Sequence, residues 1–492
     1  MPAIPQMTTA PPAAPKTDYV MASGLSSLLP CHPLALSLVA RAMGDRDRSD
    51  LVRPSASPIP SALRAVARNL GWLLASRGVL AALSLIYLAI AARTLGIADF
   101  GRFALISGAA QAIATLVGFQ TWQVIVRYGI DHDASGNANA LHRLVRACLG
   151  LDFVSAVAGL VIAVAIIALF GEPIGITPEL AGETLAFVAV QLFTIRATPV
   201  GVLRLRDRFG LAALADSVTP VVRCAGAIIV AFVMPDITGF LIAWAAAELA
   251  TALAYWVILA RTGDLALFRR TRHHGSLRAE NPGLAGFILS TNAGSTLGLS
   301  SKQLPLLLVG GYAGPAAAGA FRLAVQLANA LAKLSQLLAR AAFPEIVRLA
   351  RNADPARLRR VLGQVLAVST LAGIVILLVV TALGEEVLVL IGGEEYAPAY
   401  LWLVWLAAAG CVDLATVGFE PVLLAVHRAW TALAARTTAV AIQLALSFAL
   451  LPTLGALGVS IGVMVGSTVT ALLLGIAILR FGKDIPALPE VR

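Results

Sequence analysis

The sequence predicts an all-α polytopic membrane protein, with about twelve transmembrane helices in two six-helix lobes related by a pseudo-twofold axis normal to the membrane. Three observations carry this expectation. Hydrophobic residues make up 59% of the 492 positions and charged residues 13%, with a mean hydropathy of +0.84, which excludes an ordinary soluble globule. Apolar runs long enough to cross a hydrocarbon core of roughly 30 Å, at about 1.5 Å per helical residue, recur along the chain. A short glycine-bearing segment also appears once in each half.

Residues 1–63 are rich in Pro, Ala and Ser, with only a short apolar stretch from Leu34 to Ala40, and are expected to form a disordered cytoplasmic tail. Spans follow at about 70–92, 103–126, 147–170, 181–203, 211–234 and 237–260, giving an N-lobe over 64–260. A basic connection, 261–282, is expected to link the lobes on the cytoplasmic side. The C-lobe, 283–482, holds spans at about 284–310, 317–342, 361–384, 399–425, 431–452 and 455–479, and a cytoplasmic tail occupies 483–492. Alternate loops carry arginine (Arg143 and Arg146; Arg204, Arg206 and Arg208; Arg261 to Arg278; Arg348 to Arg360; Arg428), and the others carry Glu172, Glu179, Asp236, Glu385, Glu386, Glu394 and Glu395. By the positive-inside bias both termini are cytoplasmic, with Arg93 and Arg102 in the first outer loop as the exception. Cys31, Cys148, Cys224 and Cys411 are too scattered for a disulfide framework or a metal site.

The two halves repeat. The segment Leu95 to Phe103 recurs as Ala313 to Phe321, with Gly96, Gly101 and Phe103 matching Gly314, Gly319 and Phe321 at one common offset. Met234-Pro235 followed by Gly239 is echoed by Leu451-Pro452 followed by Gly455. Six helices plus six, both starting on the same side, make a parallel repeat. Gly458, Gly462 and Gly466 on span twelve, and Gly294 with Gly298 on span seven, have the spacing that permits close helix approach.

Span eight bears a polar seam: Arg322, Gln326, Asn329, Lys333, Gln336 and Arg340. Spacings of three and four keep these side chains on one helix face, since successive residues turn by about 100°. Lipid penalises such a face, so it is expected to border water inside the bundle. Ser295 and Lys302 on span seven, Arg77 on span one and Gln111 with Thr115 on span two offer similar faces, so spans one, two, seven and eight are expected to line a positively charged cavity. Arg322 and Arg340 also lie close enough to the span ends to snorkel to headgroups, and Arg77 suits a structural partner as well as a ligand. Arg223 and Glu248 stand equally far from the turn between spans five and six and are expected to form a structural ion pair. Asp413 and Glu420, on one face of span ten with Thr416, are candidates for ion coupling, or for neutralising Lys302 or Lys333. Asp152 and Asp216 are expected near the inner interface, solvated. The sequence has no Walker A motif, HxxxH pair or nucleophile elbow, so no catalytic residue, metal or cofactor is expected, and basic residues confined to short loops argue against nucleic acid.

Ala92 to Phe103 resembles the A-R-x-L-G-x-x-x-F-G-x-Y/F signature that closes the first helix of polysaccharide-exporting flippases in the multidrug/oligosaccharidyl-lipid/polysaccharide (MOP) exporter superfamily. Gly201 to Phe209, Phe343-Pro344-Glu345 and Leu390 to Ala399 are similar to further family segments in the same order. The resemblance implies a two-lobed bundle of the bacterial inner membrane that moves a polyprenyl-diphosphate-linked oligosaccharide to the outer leaflet by alternating access. The product then serves cell-surface lipopolysaccharide or exopolysaccharide, with lipids and polysaccharide polymerase machinery as partners. Ser301-Lys302-Gln303 stands where the family often has an acidic residue. A multidrug exporter of the same superfamily would want an acidic cavity for cationic drugs. A membrane polysaccharide polymerase or ligase would want a large outer loop, and the outer loops here are short.

Overall fold

In the computed structural model the chain divides into two units, residues 1–66 and 67–492, and the second holds the architecture described below. The structure describes residues 59–171, 176, 178–269, 275–351, 355–416, 418–419, 423 and 429–481. For 59–78, 81, 179, 299–300, 331–351, 355–362, 365, 429 and 481 it gives only the backbone. The expected tails apart from residues 59–63, which the first helix includes, lie outside the described residues, as do Glu172, Arg270, Arg272, Glu420 and Arg428.

Every regular element among the described residues is helical. The first half comprises α1 (Ile59–Val117), α2 (Thr121–Ala134), α3 (Ala138–Phe170), α4 (Pro178–Phe193), α5 (Ala197–Leu205), α6 (Phe209–Val233) and α7 (Ile237–Arg261). After a 3-10 turn at Asp264–Phe268 and the short α8 (Leu277–Glu280) come α9 (Leu284–Lys302), α10 (Leu304–Arg351) and α11 (Pro355–Gly392). A second 3-10 turn at Glu394–Ala399 leads to α12 (Tyr400–Ala415), α13 (Ala429–Leu454) and α14 (Ala456–Phe481). Ten helical stretches among the described residues are long and apolar enough to cross a membrane. One of them, 82–134, joins span one to span two, and the Ser- and Gly-bearing α9 leads into α10 as span seven, which accounts for the twelve expected passes.

The repeat is visible in the backbone. Gly96 has φ 73°, ψ 172° and Gly314 has φ 83°, ψ 176°, a region essentially closed to residues with a Cβ, and each divides one continuous helix into two passes. At the same end the halves interlock reciprocally. A methyl built on Gly101 would collide with the Pro315 carbonyl, and one on Gly319 with the Ile97 carbonyl. Phe100, Phe103, Phe321 and Tyr396 fill this crossing and are all buried. The equivalent hairpins α6–α7 and α13–α14 are each tightly packed. Gly458, Gly462 and Gly466 lie against Leu450, Ser447 and Gln443, as their spacing implies. Gly294 and Gly298 instead face open space, so their spacing serves no helix contact.

The apolar core has a corresponding asymmetry. At the glycine end one continuous cluster runs from Tyr87 and Phe103 through Phe321 and Leu323 to Leu403. Toward the opposite, arginine-bearing end it gives way to separate clusters. One, around Leu144, Leu203 and Tyr255, belongs to the first half; the other, around Leu423, Ala435 and Leu474, belongs to the second. The halves are therefore fused into one core at the glycine end, while at the other end the two clusters are separate and span seven, through Leu284, Phe287 and Ile288, packs against that of the first half.

Arg93 and Arg102, the exceptions to the charge pattern, are both engaged. Arg93 donates to the carbonyls of Leu390 at 2.7 Å and of Val389 and Ile391 at 3.3 Å, capping the last turn of α11, while Arg102 pairs with Asp99 at 2.7 Å. At the other end, arginines expected to face headgroups form a network: Arg206 with Asp133 at 2.7 Å, Arg208 with Asp264, and Arg143 bidentate to Glu280. His132 and Asn281, 2.9 Å apart, add a buried polar contact. The connection between the halves is thereby fastened to the first half.

Candidate functional site

Two helix breaks shape the interior of the first half. Span two stops at Val117 and resumes as α2 at Thr121; span four stops at Phe193 and resumes as α5 at Ala197. Pro199 contributes to the second break, because it has no N–H for the carbonyl four residues earlier. That carbonyl, of Ile195, accepts the Trp256 indole N–H at 3.1 Å instead. Asp152, midway along α3, satisfies both restarts. It accepts from the Thr121 hydroxyl at 2.9 Å, the Thr198 hydroxyl at 2.7 Å and the Thr198 backbone N–H at 3.3 Å. With 9% of its surface exposed, Asp152 is a buried structural acceptor and not the solvated interfacial group expected from sequence. Asp216 does lie exposed, accepting from the Tyr255 hydroxyl at 2.6 Å.

Between the halves lies a cavity of about 420 Å³. Ser107, Gln111 and Thr115 of α1, Gln120 at the span-two break, Phe187 and Gln191 of α4, Arg223 of α6 and Trp244 of α7 line it from the first half. From the second come Ser295, Gly298 and Lys302 of α9, Gln303 between α9 and α10, and Arg322 of α10. A smaller adjoining pocket holds Gln326 with Tyr87, Arg223 and Arg322. Of the residues expected from sequence, the fold thus brings together Gln111, Ser295, Lys302, Arg322 and Gln326. Asn329 is exposed and lines neither pocket. The side chains of Arg77, Lys333, Gln336 and Arg340 lie outside the described residues, as does Glu420. The lining also differs from expectation: spans four, five and six contribute, while among described residues span one reaches only the smaller pocket, through Tyr87 and Leu88.

Arg223 donates to Glu248 at 2.7 Å, and the same carboxylate takes Arg196 at 2.8 Å on its other oxygen. Glu248 is buried, whereas both arginines keep partial access to the cavity. The Arg223 guanidinium also lies 5.4 Å from the Trp244 ring centroid, which holds it against the wall. Among the described residues no carboxylate pairs with Lys302 or Arg322 within 4.0 Å. Asp413 is hydrogen-bonded to Ser467 and lies within electrostatic reach of Arg436 and Lys302, so two bases face this candidate coupling residue. In the cavity and its side chamber, Arg196, Arg223, Lys302 and Arg322 face Glu248 and Asp152, which leaves a positive surplus. Such a wall attracts anions and repels cations, and its amides and hydroxyls match a hydroxyl-rich solute. Sequence reasoning missed Gln120, Gln191, Arg196 and Trp244; Gly118 and Pro199, which mark the breaks, were the available signals.

Fold and cavity together define a two-lobed, all-helical membrane protein with a polar, electropositive interior. The chain belongs to the polysaccharide biosynthesis protein family, whose model matches residues 66–350. It is 29% identical over 346 residues to the inner membrane protein YghQ of Escherichia coli (strain K12), covering 69% of this chain and 96% of that protein. Among solved structures it is similar in fold to the lipid II flippase MurJ in an inward closed conformation, with TM-score 0.60, 12% identity, and coverage of 83% of this chain and 87% of that one. An inward-facing MATE multidrug resistance transporter of the MOP superfamily gives TM-score 0.56 at 16% identity, covering 82% and 96%.

Proposed function

We propose that this protein is a flippase that carries a polyprenyl-diphosphate-linked oligosaccharide from the cytoplasmic to the outer leaflet of the inner membrane, for cell-surface or exopolysaccharide synthesis. The observation that carries the reading is the convergence of Arg223, Lys302 and Arg322, from both halves, on one polar cavity of about 420 Å³. A diphosphate needs cations in exchange for its hydration shell, and the glycan needs amide and hydroxyl partners; the polyprenyl tail can remain in lipid. Membership of a polysaccharide biosynthesis family supports the same substrate class. An exporter of cationic drugs would be opposed by this wall.

In this reading the arginine end is cytoplasmic, both termini lie inside, and the fused glycine end is the closed outer side. The state is inward-facing, and the cycle alternates by parting the Gly101–Pro315 and Gly319–Ile97 crossing while the arginine ends approach. Reconstitution into liposomes tests it. A fluorescent lipid-linked oligosaccharide should become accessible to a membrane-impermeant quencher only when the protein is present. Loss of that activity is expected when Lys302 and Arg322 are both replaced by Ala. Undiminished flipping by that folded double variant would refute the cationic-cavity mechanism.

A further inference from the structure

Beside the cationic cavity, and sharing Gln111, Thr115, Gln120 and Gln191 with it, lies a chamber of about 220 Å³ walled by the first half alone. It exists because spans two and four break around Asp152. Its two charged groups, Asp152 and Arg196, are opposite in sign and already engaged, Asp152 by three neutral donors and Arg196 by Glu248. What remains is neutral hydrogen-bonding capacity. The Gln191 side chain makes no hydrogen bond to a described residue, and Gln120 offers its carbonyl oxygen to the Trp122 indole N–H at 3.0 Å, leaving its amide hydrogens available. Thr194 and Ser155 donate to their own helix backbones, so their oxygens remain as acceptors. Amide donors with hydroxyl acceptors and no surplus of either charge suit a neutral polyol better than a phosphate or an acyl chain. The space equals about seven waters at about 30 Å³ each, the scale of a single sugar ring.

We propose that this chamber is the subsite for one uncharged sugar ring next to the diphosphate, read by Gln120 and Gln191, with Asp152 as the positioning residue that holds the broken helices apart. This deepens the flippase reading above and rests on it.

The test uses the full-length protein in lipid nanodiscs and two probes differing by one ring, undecaprenyl diphosphate and undecaprenyl-diphosphate-linked N-acetylglucosamine. Wild-type protein is expected to prefer the sugar-bearing probe by about a hundredfold. Gln120→Leu and Gln191→Leu are each expected to cut that preference about tenfold, the value of one hydrogen bond to a neutral group, and Gln191→Asn to restore part of it. Melting curves establish that the variants are folded. A folded Gln191→Leu protein that keeps the wild-type preference, or weakens for both probes equally, overturns the subsite. Wild-type protein that binds both probes equally overturns it too, while leaving the flippase reading intact. Binding of neither probe above phosphatidylglycerol controls removes both.

Discussion

Glu248 offers the most demanding test of how the interior is held together. It is 3% exposed and bridges Arg196 at 2.8 Å and Arg223 at 2.7 Å, so Glu248→Leu strands two guanidinium groups within the bundle. Each pair contributes about 4 kcal/mol of Coulomb energy at a charge separation of about 4 Å and an effective dielectric of about 20, and desolvation offsets much of it. Removing one partner of a buried pair costs about 3–5 kcal/mol. Here the cavity keeps Arg196 at 38% and Arg223 at 21% side-chain exposure, so water relieves part of the strain and the lower end, about 3 kcal/mol, is expected. Thermal unfolding of the purified protein, followed by loss of monodisperse signal on size exclusion, gives the comparison. The triple variant Arg196→Leu, Arg223→Leu, Glu248→Leu, which leaves no orphan charge, is expected to recover most of the loss yet transport poorly, since Arg223 also faces the cavity. Equal stability of Glu248→Leu and wild type would refute the electrostatic account. So would a triple variant no better than the single one.

Other expectations follow from the same geometry. Gly96→Ala and Gly314→Ala each force a side chain into a glycine-only backbone region, so each is expected to destabilise by about 1–3 kcal/mol, visible as a lower melting temperature. Arg93→Gln removes up to three hydrogen bonds between the halves. With exposure weakening each bond, a net loss of about 1–2 kcal/mol is expected, read as a lower melting temperature than wild type. Asp152→Ala leaves the starts of α2 and α5 without their acceptor and is expected to cost about 2–4 kcal/mol, whereas Asp152→Asn, which retains one carbonyl, costs less; melting curves of the pair decide this.

Several features were legible without coordinates because each depends on a local rule. The match of Gly96 with Gly314 is a backbone requirement written as a residue type, so it survives in the sequence of both halves. Arg223 and Glu248 could be paired because two helices joined by a three-residue turn must place positions equally far from it at equal depth. Lys302, Arg322, Gln111 and Ser295 announced themselves as polar groups in apolar helices. Arg196 was hidden because it shares Glu248 from a different hairpin, a contact that no periodicity encodes. Asp152 misled for a related reason: its position along the span suggested an interface, but the two helix ends that require a carboxylate come from segments 31 and 46 residues away. Gln120, in the break of span two, and Gln191, on α4, come to line one chamber only once spans two and four have broken.

The reciprocal seat of each half's carbonyl in the other's missing side chain ties the fates of two distant stretches of the gene. A methyl gained at position 101 cannot be absorbed by its own repeat, because the obstructing oxygen belongs to residue 315, and the reverse holds for positions 319 and 97. At this knot neither half can grow bulkier unless the other recedes.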